Sequence, residues 1–429
     1  MIGRFDKPFL IIGILCGCSG FQAWAQSQPS IPIPSTFFGM HVTYSPDWPS
    51  IPIGALGKAA MTSMSYIEQT KGTFVWTTLD AYVATANAHN VPLHWSHDEA
   101  PPWAVTDQTS CHAAALPGIQ KCTGDVTDVA GLNAFFNALT QRYNGKNGHG
   151  FITAYELYNE PETSFTGTVA NLVIQTNALA AAVRTNSPNS LVVGMGVTYP
   201  DTYYTSGNLM DRYWMAGGTK ALDAVAFHGY PHHGNDVPEI VNIFVPVIKS
   251  ALTRNGIAST MPIWDTEGSW GDVLETGWTV TDTNQQAAWV ARSYLLHWSN
   301  GVGRNDWYGW DSTNWGQLWS PTGGITSAGT AYGQVYNWLV GRTMTTACTA
   351  SGTVWHCDFT GAGGYAARAV WDTSGTSTYT PPAGTYTNYL DLSGVKATLG
   401  AVVTIGSKPI LLEGTIALQP PTGLTATVN

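Results

Sequence analysis

Between residues 37 and 339 the chain alternates between short apolar runs and longer stretches with helical spacing. Strands separated by helices are joined by crossovers, which return each strand parallel to the one before it. The apolar runs fall at 37–42, 60–67, 91–97, 151–160, 190–197, 224–230, 261–267 and 306–311. Eight such units predict an α/β fold, a (β/α)8 TIM barrel over residues 37–341. The helical stretches bury one face. In 131–143, for example, Leu132, Phe135, Phe136 and Leu139 recur at helical spacing.

The texture changes after Gly341. Short alternating runs such as Thr353-Val354-Trp355-His356-Cys357, separated by Gly, Thr, Ser and Pro turns, predict a small C-terminal β-sandwich over 342–414. The tail, 415–429, contains Gln419-Pro420-Pro421-Thr422-Gly423-Leu424, which resembles the start of a fibronectin type III repeat.

Residues 1–25 have the pattern of an export signal. Arg4 and Lys7 precede an apolar core, and Ala23-Trp24-Ala25 forms a small-x-small cleavage site; a lipidated Cys18 is the alternative. The apolar run is too short to span a bilayer, and no later segment qualifies, so no membrane span is expected. Residues 26–36 form a Pro/Ser-rich linker. Beyond the leader four cysteines remain, and in an exported protein an even number favours disulfides. The close pairs are Cys111 with Cys122 and Cys348 with Cys357. Neither pair has the two-residue spacing of a cysteine metal hook, and no metal or cofactor is expected.

Composition narrows the partner. A net charge of -10 without a Lys/Arg cluster excludes a nucleic-acid binder, which needs a basic face. Charged residues make up 11%, against about 25% in ordinary proteins, while Trp (18) and Tyr (19) are abundant. Most of these rings serve the core. The excess nonetheless suits an exported protein that binds carbohydrate, with a monomer expected.

The fourth run ends in Tyr155-Glu156-Leu157-Tyr158-Asn159-Glu160-Pro161. Pro161 cannot donate to a ladder, so the strand stops at Glu160. The seventh ends in Pro262-Ile263-Trp264-Asp265-Thr266-Glu267-Gly268. Both glutamates therefore lie at the C-terminal rim of the barrel, where such folds keep their catalytic groups. Singly, either could cap a strand or pair with an arginine. Together they have the pattern of paired-carboxylate glycoside chemistry. Glu156 and Asp265 precede them on the same faces and are read as deeper structural acids. Asp98 and Glu99, after the third strand, could meet a sugar hydroxyl.

These two acids join Phe38-Gly39-Met40-His41, Gly72-x-Phe74-x-Trp76-x-x-Leu79-Asp80, Pro101-Pro102-Trp103-Ala104 and Phe227-His228-Gly229-Tyr230-Pro231. On these motifs the chain resembles the (β/α)8 clan of retaining glycoside hydrolases with glutamates on strands four and seven, and within it family 39. The resemblance implies Glu160 as general acid/base and Glu267 as nucleophile. It implies that Asn159 donates to the sugar 2-hydroxyl and that Tyr230 keeps Glu267 ionised, with His228 between the two acids. Further substrate contacts are His41, Trp310 as a pocket floor, and Trp95, His97 and Trp103 as a wall; core packing is an equal reading for the last three. The clan also carries an arginine near the end of strand two that supports the nucleophile. Residues 59–66 hold none. That departure leaves a second reading, a non-catalytic carbohydrate-binding or adhesion protein on the same scaffold. Few basic residues flank the loops, so a neutral sugar is expected.

Overall fold

The structure is a computed structural model and describes residues 29–43, 48–58, 60–231, 237–271 and 280–415. The leader over 1–25, the first linker residues and the tail beyond 415 lie outside the described residues.

The chain opens with β1 (Phe38–Met40) and β2 (Ala55–Leu56), then the helical turn α1 (Met64–Ile67) and helix α2 (Thr77–Ala88). After β3 (His94–Ser96) comes a hairpin, β4 (Cys111–Ala113) with β5 (Gln120–Cys122), and α3 (Val129–Arg142). Next are β6 (Ala154–Glu156), the turn α4 (Pro161–Ser164) and α5 (Val169–Asn186). Then follow β7 (Leu191–Val193), α6 (Pro200–Tyr203), α7 (Leu209–Met215), β8 (Val225–His228), α8 (Val241–Arg254), β9 (Ile263–Gly268) and α9 (Thr283–Ser299). The first half closes with β10 (Val302–Trp307), the small hairpin β11 (Trp319–Ser320) with β12 (Gly324–Ile325), and α10 (Ser327–Leu339).

The helices begin where the sequence supplies caps. Asp128, Thr168, Asp282 and Thr326 each accept from the N–H three residues on, at 2.9, 3.2, 2.8 and 3.0 Å, which satisfies a donor the helix leaves free. The buried stripe of α3 is the expected one, including Leu132, Phe135, Phe136 and Leu139.

The strands between helices run parallel, in the orders β2-β1-β10-β9-β8 and β3-β6-β7. Single parallel bridges, Leu56 to Leu93 and Val193 to Ala224, link the two groups. The C-terminal ends of β6, β8 and β9 therefore face one rim, the arrangement that brings Glu160, His228 and Glu267 together.

The fourth strand ends at Glu156, four residues before the expected Glu160, which lies in a left-handed turn that proline alone did not reveal. Two further strands differ from expectation. The second is Ala55–Leu56, not 60–67, where Met64 and Ile67 instead lie on one turn of helix. A two-residue strand shows no period, and Met64 and Ile67, three apart, have the spacing of a helix rather than of a strand. Gly54 is needed there, because a Cβ would stand 1.7 Å from the Ser35 carbonyl oxygen. The eighth strand is Val302–Trp307, not 306–311. Arg304 and Asp306 lie on this strand. They are buried as a pair at 2.7 Å, with His94 at 3.1 Å from the other Asp306 oxygen.

The second half is antiparallel: β13 (Thr343–Ser351), β14 (Val354–Thr360), β15 (Tyr365–Asp372), β16 (Ser377–Tyr379), β17 (Asn388–Leu390), β18 (Lys396–Thr398), β19 (Val403–Ile405) and β20 (Ile410–Thr415). Six of these strands form one sheet, and β16 pairs with β19 in another. Val370, Val403, Ile405, Ile410 and Leu412 form the apolar layer of this region. Trp371 and Cys357 belong to the main core instead. There the Trp371 Nε1 donates to Glu239 (3.2 Å), which is paired with Arg292 of α9, and the Cys348 N–H donates to the Ser299 hydroxyl (2.8 Å). Both expected disulfides are present, Cys111–Cys122 and Cys348–Cys357. Among the described residues no helix is long and apolar enough to cross a membrane.

Candidate active site

Glu160 is placed by a left-handed residue. Its φ is 47°, an unusual value for a non-glycine side chain, in the turn between β6 and the Pro161 that opens α4. Its own N–H donates to the Gly196 carbonyl at 2.8 Å, anchoring the turn to the neighbouring strand. Glu267 is aimed by a bulge. The β8–β9 register shifts between Phe227 and His228, and Asp265 fills the irregularity, accepting from the N–H of Gly229 (2.9 Å) and of Glu267 (3.3 Å). A Cβ at Gly229 would stand 2.0 Å from Asp265 Oδ2, so glycine is required there. Asp265 also pairs with His297 (2.8 Å), so it is the buried structural acid the sequence suggested. Glu156 is likewise buried and accepts from the Ser96 hydroxyl at 2.8 Å.

One ligand atom each of Glu160, His228 and Glu267 lies within 4.8 Å of the others. His228 Nδ1 meets Glu160 Oε1 at 2.6 Å, and Tyr230 donates to Glu267 Oε1 at 3.0 Å. Thr163 donates to Glu160 Oε2 at 3.3 Å. The arginine expected near strand two is absent, but Lys58, two residues beyond β2, stands 2.6 Å from Glu267 Oε2 and also donates to Asn159 Oδ1. Because β2 ends at Leu56, its loop delivers a cation to the rim from just outside the 59–66 segment.

Burial would raise the Glu267 carboxyl, but the charges of Lys58 and then His228 hold it well below the usual range. Lys58 itself is raised despite burial, chiefly by Glu267 and then Glu160. His228 is buried, which disfavours the imidazolium. The charges of Glu267, Glu160 and Glu156 outweigh that and push it up to about 9, so Nδ1–H donates to Glu160 at neutral pH. His41, bonded through Nε2 to the Thr266 carbonyl at 2.9 Å, is pushed down by burial to about 4 and is neutral. Two carboxylates and an imidazole are also metal-ligand types. Here the Lys58 ammonium already supplies the positive charge that an ion would bring.

The sequence candidates thus divide. Glu160, Glu267, Asn159, His228, Tyr230 and His41 converge. Trp95 and His97 do not: both are fully buried, with Trp95 donating to the Thr62 carbonyl (2.9 Å) and His97 bonded to Gln175 of α5 (2.8 Å). Alternation along the strand turns this pair toward the helices rather than the rim. Trp103 is committed to the Glu68 carbonyl at 2.7 Å and packs beneath Lys71. Trp310 is buried and stacked on Trp319, 5.9 Å between centroids. Tyr308 instead sits 5.0 Å from the His41 ring and contributes to the charge environment of Lys58. The eighth strand ends at Trp307, four residues before the expected end, so Trp310 lies beyond it, with its backbone N–H donating to the His41 carbonyl at 2.7 Å. Asp98 and Glu99 both pair with Lys121 at 3.2 Å. Lys58 and Tyr308 were missed. The signal for Lys58 was a Gly57-Lys58 pair directly after the short apolar Ala55-Leu56.

No family model and no curated protein matches the sequence. Solved structures do. A family 39 glycoside hydrolase from the gut symbiont Bacteroides cellulosilyticus WH2 is similar at a TM-score of 0.66 and 18% identity, over 90% of this chain and 82% of that one. A glucosidase from Croceicoccus marinus gives 0.61 and 13%, over 92% and 98%. A GH30 endoxylanase from Clostridium papyrosolvens C71 gives 0.55 and 13%, over 91% and 98%. At these identities the likeness is one of fold.

Proposed function

We propose that the protein is an exported glycosidase that cleaves O-glycosidic bonds with retention of configuration. One observation carries this reading: an oxygen of Glu160 and an oxygen of Glu267 lie within 4.8 Å. Retaining enzymes hold their carboxyls about 5–5.5 Å apart, whereas inverting enzymes need about 6.5–9.5 Å to admit a water. The similar structures are themselves described as glycoside hydrolases and a glucosidase, which supports the reaction class. The two bridges between the strand groups support closure of the eight strands into a barrel.

Each residue then has a task. Glu267, held ionised by Lys58 and Tyr230, attacks the anomeric carbon. Glu160 gives its proton to the departing oxygen, and a glycosyl ester forms on Glu267. Glu160, now a base, takes a proton from water, which attacks the same carbon and frees Glu267. Two inversions give retention. Lysine has no acceptor, so its contact fixes the Asn159 amide with Oδ1 toward Lys58. Asn159 Nδ2 is left to donate to the sugar 2-hydroxyl. The reading of a non-catalytic binder rested on the missing arginine, and Lys58 supplies the charge that arginine would bring. The two disulfides suit an oxidising compartment. Lys58 and His228 are committed to the two carboxylates, which leaves no free cation among these groups for an acidic sugar and favours a neutral glycan.

The test is covalent trapping. Incubation with a panel of activated 2-fluoro sugars, followed by peptide mass spectrometry, is expected to place an adduct on Glu267. Glycan binding without turnover or adduct would establish the binder instead.

A further inference from the structure

Among the parallel strands lies a buried polar cluster that the reaction above does not use: Arg304 and Asp306 of β10, His94 of β3, and His41 just after β1. Arg304 Nε donates to Asp306 Oδ1 at 2.7 Å, and His94 Nδ1 stands 3.1 Å from the other oxygen. The His94 ring meets the His41 ring edge-on, 6.0 Å between centroids. Trp264 of β9 packs on the guanidinium, 5.2 Å from its ring centroid. A buried ion pair adds little net stability, because desolvation offsets its attraction. An apolar pair could fill the same volume, but it could not donate a hydrogen bond.

Arg304 has a second donor engaged. Its Nη2 gives a hydrogen bond to the Leu56 carbonyl at 2.9 Å. Leu56 ends β2, and this carbonyl belongs to the peptide unit that leads into Gly57 and Lys58. The N–H of the same unit, on Gly57, donates to the Met40 carbonyl at 2.7 Å. Gly57 also lies against the His41 ring, where a Cβ would stand 2.7 Å from its atoms. The last peptide before Lys58 is thus held at both polar ends and on one face. The peptide leading into Glu267 is held in the same manner. Its carbonyl, on Thr266, accepts from His41 Nε2 at 2.9 Å, and its N–H donates to Asp265 at 3.3 Å.

A lysine carries its charge as a point at the end of a flexible four-carbon stem. Lys58 must meet Glu267 and Asn159 together, so its backbone has to be fixed from outside the side chain. We propose that Arg304 is a positioning residue for Lys58. Through the Leu56 carbonyl it fixes the turn that delivers the lysine. Through Asp306 and His94 it ties that turn to His41, and so to the strand end that carries Glu267. The consequence for catalysis rests on the glycosidase reading above, whereas the placement of Lys58 does not.

Arg304→Lys tests this in the full-length protein, because it keeps the charge beside Asp306 but loses the fork that reaches two acceptors at once. The first measurement needs no substrate: the rate of reductive methylation of Lys58, read by peptide mass spectrometry. Arg304→Lys is expected to raise that rate about tenfold and to leave Lys121, paired with Asp98 and Glu99 elsewhere, unchanged. The second measurement is a double-mutant cycle on the glycan found by screening. Arg304→Lys is expected to lower kcat/KM about tenfold, less than the roughly 100-fold that a 1 Å misplacement can cost. In a Lys58→Met background it should change nothing further, because the two residues act as one unit. Should Arg304→Lys fail to fold, the neutral pair Arg304→Met with Asp306→Asn takes its place in both measurements. An unchanged Lys58 rate, a parallel rise at Lys121, or an equal loss of activity in both backgrounds overturns the proposal. Absence of turnover on every glycan removes the glycosidase reading, and the methylation rates then decide the positioning role by themselves.

Discussion

Lys58 Nζ lies 2.6 Å from Glu267 Oε2, joining the loop after β2 to the end of β9 in a largely buried ion pair. Removing one partner of such a pair leaves the other charge uncompensated. Lys58→Met is therefore expected to lower kcat/KM by about 100- to 1000-fold, the range for loss of one preorganised electrostatic contact. The acidic limb of its pH–rate profile should move to higher pH, because Glu267 loses the main charge that opposes its burial. Lys58→Arg, which keeps the charge, should restore much of the rate. An unmoved acidic limb in the Met variant would show that Lys58 does not tune Glu267.

Glu160→Gln should abolish hydrolysis of substrates with poor leaving groups and spare part of the activity on activated aryl glycosides. Azide, which needs no general base to attack the glycosyl ester, is expected to increase the latter rate. Steady-state kinetics with both substrate types decide the matter, and normal turnover of an unactivated glycoside would remove Glu160 from the acid/base role.

Gly196→Ala probes the His228–Glu160 contact from behind. A Cβ there would stand 2.3 Å from His228 Nε2 and 3.0 Å from Glu156 Oε1. The ring must shift, and with it the 2.6 Å contact to Glu160. Overpacking of this kind costs about 1–3 kcal/mol. A lower Tm together with a fall in kcat larger than any change in KM is the expected result.

The His228 imidazole also ties stability to pH. Its folded pKa is pushed up to about 9 from an ordinary 6.5. The folded state thus holds the proton more tightly, and its contribution is complete below pH 6.5 and lost as pH rises through 9. The difference in unfolding free energy between wild type and His228→Gln should shrink over that window. Denaturant melts at pH 6, 7.5 and 9.5 would measure it, and a constant difference would contradict the assignment.

The Cys111–Cys122 bridge closes the β4–β5 hairpin, with the paired residues 11 apart in sequence. Loop-closure entropy for so short a ring predicts a loss of about 2–3 kcal/mol in a double serine variant. That hairpin is also hydrogen-bonded to Gln69 and Ala100. Chemical denaturation of the double variant against wild type tests the figure.

The sequence by itself determined the alternation of strand and helix, the antiparallel C-terminal region, the close cysteine pairing and two glutamates on the C-terminal side of parallel strands. Each of these is local: it depends on the period of side chains, on a proline that cannot pair, or on an even count of cysteines. What only the tertiary structure decided is which polar groups meet. β2 is too short to carry a period, so the cation it delivers could not be placed until Lys58 was seen 209 residues from Glu267 in sequence but in contact with it in space. The eighth strand starts at Val302, four residues before the expected run, because Arg304 is neutralised in the interior by Asp306, a compensation no hydropathy pattern registers. Trp95 and His97 were on the right strand, but the side each faces was set by packing against α3 and α5. Spacing along a chain fixes the direction of a side chain only within its own element. The charge it will face is set by the register of strands that are distant in sequence.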